Sequence, residues 1–406
     1  MYCGPQAGSS VGIVSRAYLE VDSARLSTNI ETFRRLVGPD VILAPTVKAN
    51  AYGHGLGLAA AAFVEGGADW LCVDSIEEAQ ALRLLGTTCP LYVFGYVPLD
   101  DLGRVPELDV RLVVYNAETV QALAALGRPV RIHLKLETGN HRQGVDANTM
   151  VELAELIRRA PHLELEGLSS HFANIEDTTD HAYARAQLAT FAAGVDRLKD
   201  AGHDVKIRHL SNTAAALLWP EQRFEMVRIG IGAYGHWPSK ETQIAAVLTG
   251  RSSISLYPAL RWCTRVAQIK ALPKGSFVGY GCTYKSTHDT QIAVVPVGYA
   301  DGYDRGLSNL GYVLIRGQRA PIRGRVCMNM FMVDVTDVAG VSLEDEVVLL
   351  GSQGDEALTA EQLASWAGTI QYEVLARIGA HLPRLSVRGP APTESEPSAY
   401  RAPRGV

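Results

Sequence analysis

Residues 40–57 read DVILAPTVKANAYGHGLG. The opening DVILA is apolar and β-branched enough for a buried strand, and Lys48 closes the stretch before a run rich in glycine. Two features decide the fold. No G-x-G-x-x-G fingerprint follows this first strand, which weakens an open, doubly wound sheet. A lysine is costly to bury without a partner, so one placed at a strand end points to a site at that end.

The same beat continues outward. Strand candidates follow at 68–73 (ADWLCV), 90–95 (PLYVFG), 110–115 (VRLVVY), 130–136 (VRIHLKL), 163–170 (LELEGLSS), 205–210 (VKIRHL) and 225–230 (EMVRIG). Helical stretches such as SIEEAQALRLLG and HAYARAQLATFAAGVDRLKDAG separate most of them. Eight strands alternating with helices over roughly 240 residues fit a (β/α)8 TIM-like barrel, with the open sheet as the alternative.

Near residue 245 the texture changes. Short β-rich runs such as TQIAVVPVGYA, GYVLIRG and MFMVDVTDV, broken by turn residues, predict a mainly β C-terminal domain. The barrel is placed at residues 15–245. The β domain is placed at 246–388, with residues 1–14 attached to it, and a disordered tail at 389–406. Thr359, three residues before Gln362, predicts a helix cap.

Composition narrows the class. The 406 residues are 47% hydrophobic with a net charge of −5, which gives no surface for nucleic acid. No apolar run reaches membrane-spanning length and no secretory signal opens the chain, so a cytoplasmic location is expected. The six cysteines show no C-x-x-C spacing, and no metal site is expected.

In a barrel the C-terminal strand ends carry the chemistry. Lys48, Glu137, His141, Arg142, His171, His209, Asn212, Thr213 and Arg228 all fall at or just past such ends. The loops after the last two strands often hold a phosphate, and NTAAA and GIGAYG offer a hydroxyl and closely approachable backbone there. A lysine at the same mouth suggests an imine with an aldehyde. Together these suggest pyridoxal phosphate, although a sugar-phosphate aldolase would satisfy this much.

The ordered motifs VKANAYGHG, HLKLETG, HFA, SNTAAAL, MVRIGIGAYG, GYGCTY, PVGYADGYDR, APIRGRVCMN and YEVLARI, over roughly residues 17–388, closely resemble the alanine racemase family. The resemblance implies pyridoxal 5'-phosphate, a homodimer with shared active sites, and interconversion of L- and D-alanine by two bases. It would place the enzyme in D-alanine biosynthesis, supplying a peptidoglycan precursor. Lys48 matches the cofactor lysine and one base. Tyr284 in GYGCTY matches the second base, given by the partner subunit.

By the same matching Arg228 faces the pyridine nitrogen. Arg142 approaches the ring oxygen and the substrate carboxylate, and Met328 offers its backbone N–H to that carboxylate. His171 lies near the ring. Tyr52, Thr213, Gly230, Ile231 and Tyr372 match phosphate contacts, with Asn212 beside them. Lys135 either pairs with Glu137 or matches a lysine carbamylated in some members. Arg305, Arg325 and Glu176 resemble entrance residues.

Two departures stand out. GNHRQG replaces the commoner GMGRLG, and Asn329 replaces an acid. The alternative within the resemblance is a serine or broad-specificity amino-acid racemase. A non-catalytic cofactor carrier would lack the β domain and GYGCTY.

Overall fold

The computed structural model describes residues 15–251 and 253–389. The readings made for residues 1–14 and for the tail beyond 389 lie outside the described residues. Two compact units divide the chain, one spanning 21–260 and the other 261–385 with the residues before 21.

The chain opens with β1 (Ala17–Asp22), which pairs in the large sheet of the second unit. Helix α1 (Ser23–Val37) begins where the Asp22 carboxylate accepts the N–H groups of Ala24 and Arg25, at 3.0 and 3.2 Å. Such a cap is worth about 1 kcal/mol. Leu26, Ile30, Phe33 and Val37, spaced four, three and four apart, bury one stripe of the helix.

Eight parallel strands follow: β2 (Ile42–Pro45), β3 (Leu71–Val73), β4 (Leu91–Val93), β5 (Val110–Val114), β6 (Val130–Lys135), β7 (Leu163–Ser169), β8 (Ile207–His209) and β9 (Met226–Ile229). Between and after them lie α2 (Lys48–Tyr52), α3 (Leu56–Glu65), α4 (Ile76–Leu84), α5 (Arg104–Glu107), α6 (Ala117–Ala125), α7 (Ala147–Arg159), α8 (Ala182–Asp200), α9 (Thr213–Leu218) and α10 (Lys240–Leu248). All eight predicted barrel strands are therefore present, each shorter than its apolar run.

Strands β3 to β8 pair in chain order. Strand β2 pairs with β9, Ile42 opposite Met226 through Pro45 opposite Ile229, and a Thr46–Cys72 bridge joins β2 to β3. The Arg228 N–H reaches the Ser211 carbonyl at 3.1 Å across the last seam. Ala44, Trp70, Cys72, Tyr92, Val113, Ile207 and Met226 fill the interior, so the ring is a packed core and not a pore.

The second unit holds β10 (Leu260–Arg265), β11 (Gln268–Leu272), β12 (Phe277–Val278), β13 (Tyr284–Lys285), β14 (Thr290–Val295), β15 (Tyr312–Ile315), β16 (Gln318–Arg323), β17 (Phe331–Asp334), β18 (Glu346–Gln353), β19 (Glu356–Leu358) and β20 (Arg384–Val387). The sheet runs β11-β14-β17-β16-β15-β18-β10-β1-β20, with β19 on β18. Arg316 and Gly317, at φ +53° and +74°, form the two-residue turn between β15 and β16. That geometry matches the right-handed twist of the flanking strands. Helices α11 (Ala360–Ala367) and α12 (Gln371–Ala376) follow, and Thr359 caps the first by accepting the Gln362 N–H at 3.2 Å. Among the described residues no helix is long and apolar enough to cross a membrane.

Candidate active site

The segment after β2 does not form an ordinary loop. Ala49, Asn50, Ala51 and Tyr52 have φ of 54°, 53°, 55° and 50°, a left-handed turn built without glycine. Each such residue costs about 1–2 kcal/mol, so the turn persists only because its surroundings hold it. The Glu78 carboxylate accepts the Ala49 N–H at 2.7 Å and the Asp74 N–H at 2.8 Å. The Asn50 side-chain oxygen accepts the Leu56 N–H at 2.9 Å. Buried His54 places Nδ1 3.1 and 3.0 Å from the Ala51 and Tyr52 carbonyls and so ties the turn to itself.

This turn brings Lys48 and Tyr52 to the C-terminal end of the barrel strands. Lys48 Nζ lies 3.9 Å from Asp74 Oδ1 and 5.2 Å from the Phe94 ring centre. The Tyr52 hydroxyl would lie 3.1 Å from a Cβ built on Gly230, and the Thr213 hydroxyl 3.8 Å from it. Thr213 Oγ1 accepts the Gly230 N–H at 3.0 Å. Asn212 caps α9 through the Ala215 N–H at 3.0 Å and donates to Glu176 at 2.6 Å. Glu176 is thereby tied to the start of α9. Its carbonyl also accepts from Thr242 Oγ1 at 3.1 Å and from the Ser239 hydroxyl. Ile231 is fully buried behind Gly230.

Arg228 is 8% exposed. Its guanidinium donates to the Ser170 carbonyl at 2.8 Å, to the His209 carbonyl at 3.2 Å and to His209 Nδ1, and stands 3.5 Å from His171 Nδ1. Burial, reinforced by repulsion from Lys135 and Arg228, holds the His171 imidazole well below its usual pKa. Burial also pushes the Lys135 amine well below its range, and Arg228 and Arg142 add to this.

Lys135 forms no ion pair with Glu137. Glu137 instead accepts the Asn140 N–H at 2.7 Å and the Gly139 N–H, holding the GNHRQG loop. In that loop His141 takes φ +52°, a left-handed position that a glycine fills in GMGRLG. Arg142 is exposed and, among the described residues, makes no hydrogen bond or ion pair.

The remaining site candidates lie in the second unit. Tyr284 pairs opposite Val278, and the Arg323 guanidinium sits 4.9 Å from its ring centre. Met328 is 56% exposed, and Tyr372 is half-buried in α12. Sequence reasoning assigned no role to Glu78, Glu166 or His133. A glutamate in a helix start and a histidine inside a strand carry no pattern that separates them from neighbours.

Hydroxyls from two segments converge over a residue that has no side chain, beside a lysine and a buried arginine that can only donate. That donor set fits an aldehyde-bearing phosphate ester, and comparison with known proteins settles the class as a barrel enzyme dependent on pyridoxal phosphate. Residues 21–238 match the family model "Alanine racemase, N-terminal domain" and residues 259–386 match "Alanine racemase, C-terminal domain". The chain belongs to the alanine racemase family.

An alanine racemase of Symbiobacterium thermophilum is 41% identical over 91% of this chain and 96% of its own length. One from Leptospira interrogans is 35% identical over 93% and 98%. A solved alanine racemase from Bacillus anthracis, with bound L-Ala-P, superposes with a TM-score of 0.87 at 35% identity, covering 93% of this chain and 96% of that one.

Proposed function

We propose that this chain interconverts L- and D-alanine as a cytoplasmic homodimer, supplying D-alanine to peptidoglycan synthesis, with Lys48 and Tyr284 of the partner subunit as the two bases. The observation that carries the reading is the barrel mouth itself. Lys48, the Tyr52–Thr213–Gly230 cradle and Arg228 meet on the strand ends of one unit.

Pyridoxal phosphate, when bound, supplies an electron sink for the α-carbon of an amino acid. Lys48 would be the residue that holds it through the aldehyde. Tyr52, Thr213, Gly230 and Ile231, with Asn212 alongside, would hold its phosphate, and the resemblance assigns Tyr372 the same role. Arg228, which can only donate and stays charged, would face the ring nitrogen and disfavour a proton there. His171 stands beside Arg228, and Arg142 and the Met328 N–H take the substrate carboxylate.

Racemisation needs a proton removed from one face of Cα and returned on the other. Lys48 Nζ handles one face and the Tyr284 hydroxyl of the partner subunit the other. Each accepts or donates according to the starting enantiomer, so nothing is gained or lost overall.

A chiral assay of a panel of L-amino acids with cofactor-loaded protein tests the reading. Equal final L- and D-alanine, with little turnover of L-serine and larger substrates, is expected. Faster turnover of serine or of many side chains would favour the broader racemase. Mixing K48A and Y284F chains tests the shared site. Each alone is inactive, and random re-pairing restores about a quarter of the intact sites. No recovery on mixing would refute the two-chain site.

A further inference from the structure

We infer that Glu166 is a positioning residue for Arg228, acting from the far side of the barrel core through two neutral imidazoles, His209 and His133. The inference rests on the reading that Arg228 faces the cofactor ring.

A buried guanidinium ordinarily has a carboxylate beside it. Arg228 has none among the described residues, and its partners are two carbonyls, His209 Nδ1 and, at 3.5 Å, His171 Nδ1. From there His209 Nε2 lies 2.7 Å from His133 Nδ1, and His133 Nε2 lies 3.0 Å from Glu166 Oε2. Both imidazoles are fully buried. The Tyr92 ring covers them, with centres 4.9 and 5.3 Å away, and Trp70 stands 6.0 Å from His133.

The two ends fix the direction of this chain. Arginine can only donate and an ionised carboxylate can only accept. Each imidazole must therefore carry its proton on Nε2 and offer its Nδ1 lone pair toward Arg228. A proton added to His133 would force His209 to turn an N–H against the guanidinium. The relay thus carries the influence of the Glu166 charge to Arg228 by polarisation through hydrogen bonds.

The backbone is shaped around it. The β6–β7 register shifts between Ile132 and His133, so Leu165 and Gly167 have partners while Glu166 is the extra residue. Such a bulge re-aims a side chain. A Cβ on Gly167 would lie 2.5 Å from His133 Nδ1 and 2.7 Å from the Ile207 carbonyl, so the imidazole occupies space that only glycine leaves. Burial raises the pKa of Glu166, but the His133 hydrogen bond and Arg111 outweigh it and hold the carboxyl below its usual range. Arg111 Nε lies 3.2 Å and Arg131 Nε 3.9 Å away, while Arg142 adds positive charge around Arg228 and burial disfavours the charge of the nearby Lys135.

The test uses the full-length holoenzyme. Nitrogen-15 NMR of labelled histidine should find His133 and His209 neutral, protonated on Nε2, and without titration over roughly pH 6 to 9. E166Q keeps an acceptor for His133 but removes the charge. It should shift the visible absorption of bound pyridoxal phosphate and lower kcat about tenfold, with KM within about twofold.

R111M removes the arginine from Glu166 while leaving the relay whole, and should hold kcat within about twofold. An imidazolium or an Nδ1-protonated ring at either histidine overturns the inference. So does an E166Q spectrum and kcat like the parent's, or an R111M loss equal to that of E166Q, which would make Glu166 a tie for Arg111 only. If E166Q does not fold, the tautomers in the unaltered chain decide. If the chain binds pyridoxal phosphate at no lysine, the proposed function fails, while the tautomer measurement stands by itself.

Discussion

A Cβ on Gly230 would stand 3.1 Å from the Tyr52 hydroxyl. That contact is tighter than ordinary packing, and Thr213 Oγ1 already holds the Gly230 N–H at 3.0 Å. G230A therefore pushes the tyrosine aside just where a phosphate would be cradled. We expect a fall of about tenfold or more in pyridoxal phosphate affinity, measured by absorbance titration, and little change for pyridoxal without phosphate. An equal loss for both compounds would place the phosphate elsewhere.

The left-handed turn at residues 49–52 makes an unusual prediction. Ala49 is exposed at φ +54°, so a glycine there loses little packing and relieves the backbone. Its extra unfolded-state freedom offsets part of the gain. A49G should leave stability unchanged or raise it by up to about 1 kcal/mol in urea unfolding, while kcat falls because Lys48 is held less firmly. Destabilisation by more than that would mean the turn is not strained.

Removing the support should do the opposite. E78A leaves the Ala49 and Asp74 N–H groups without their carboxylate. A loss of about 1–3 kcal/mol is expected, together with weaker retention of the cofactor on dialysis. Full stability and retention would show that the turn holds without Glu78.

These contrasts mark what was legible in the sequence. The eight strands were, because each is a compact apolar run between helical stretches, and Lys48, Thr213 and Arg228 were, because they sit at strand ends. The left-handed turn was not. KANAY contains no glycine, and its conformation is imposed by Glu78, which lies about thirty residues away. The buried relay was equally hidden. Nothing in HLKLE or LELEG announces that a bulge will turn Glu166 beneath His133.

Asn29 tests how α1 is fastened within its unit. Fully buried, it donates to the Tyr257 carbonyl at 2.9 Å and accepts the Tyr257 N–H at 2.9 Å. N29A removes both of these buried bonds to the Tyr257 backbone. A loss of about 2–4 kcal/mol is expected, read from urea midpoints, with the unfolding slope unchanged. A loss within about 0.5 kcal/mol, the range of an ordinary surface change, would show that water replaces the side chain.

Acid should unfold the chain through its buried imidazoles before its carboxylates titrate. Burial lowers the pKa of His133, against the pull of Glu166, and lowers that of His209 further with repulsion from Arg228. The unfolded chain therefore takes up their protons first, as pH falls past about 6.5. Stability contributed by these two residues is level above that pH. Below it, each withdraws about 1.4 kcal/mol per pH unit until its folded-state pKa is reached. Glu166 and Glu225, whose carboxyls are held below their usual range, lose their contributions only at lower pH. Urea midpoints from pH 8 to 5 should be flat and then fall, with the break near 6.5. The buried His171 imidazole, also held well below its usual pKa, adds a third such group, so H133N would cut the slope below the break by about a third if it folds. A midpoint that stays level down to pH 5 would show that both rings are already protonated in the folded chain, and with them the one-way path from Arg228 to Glu166 would be lost.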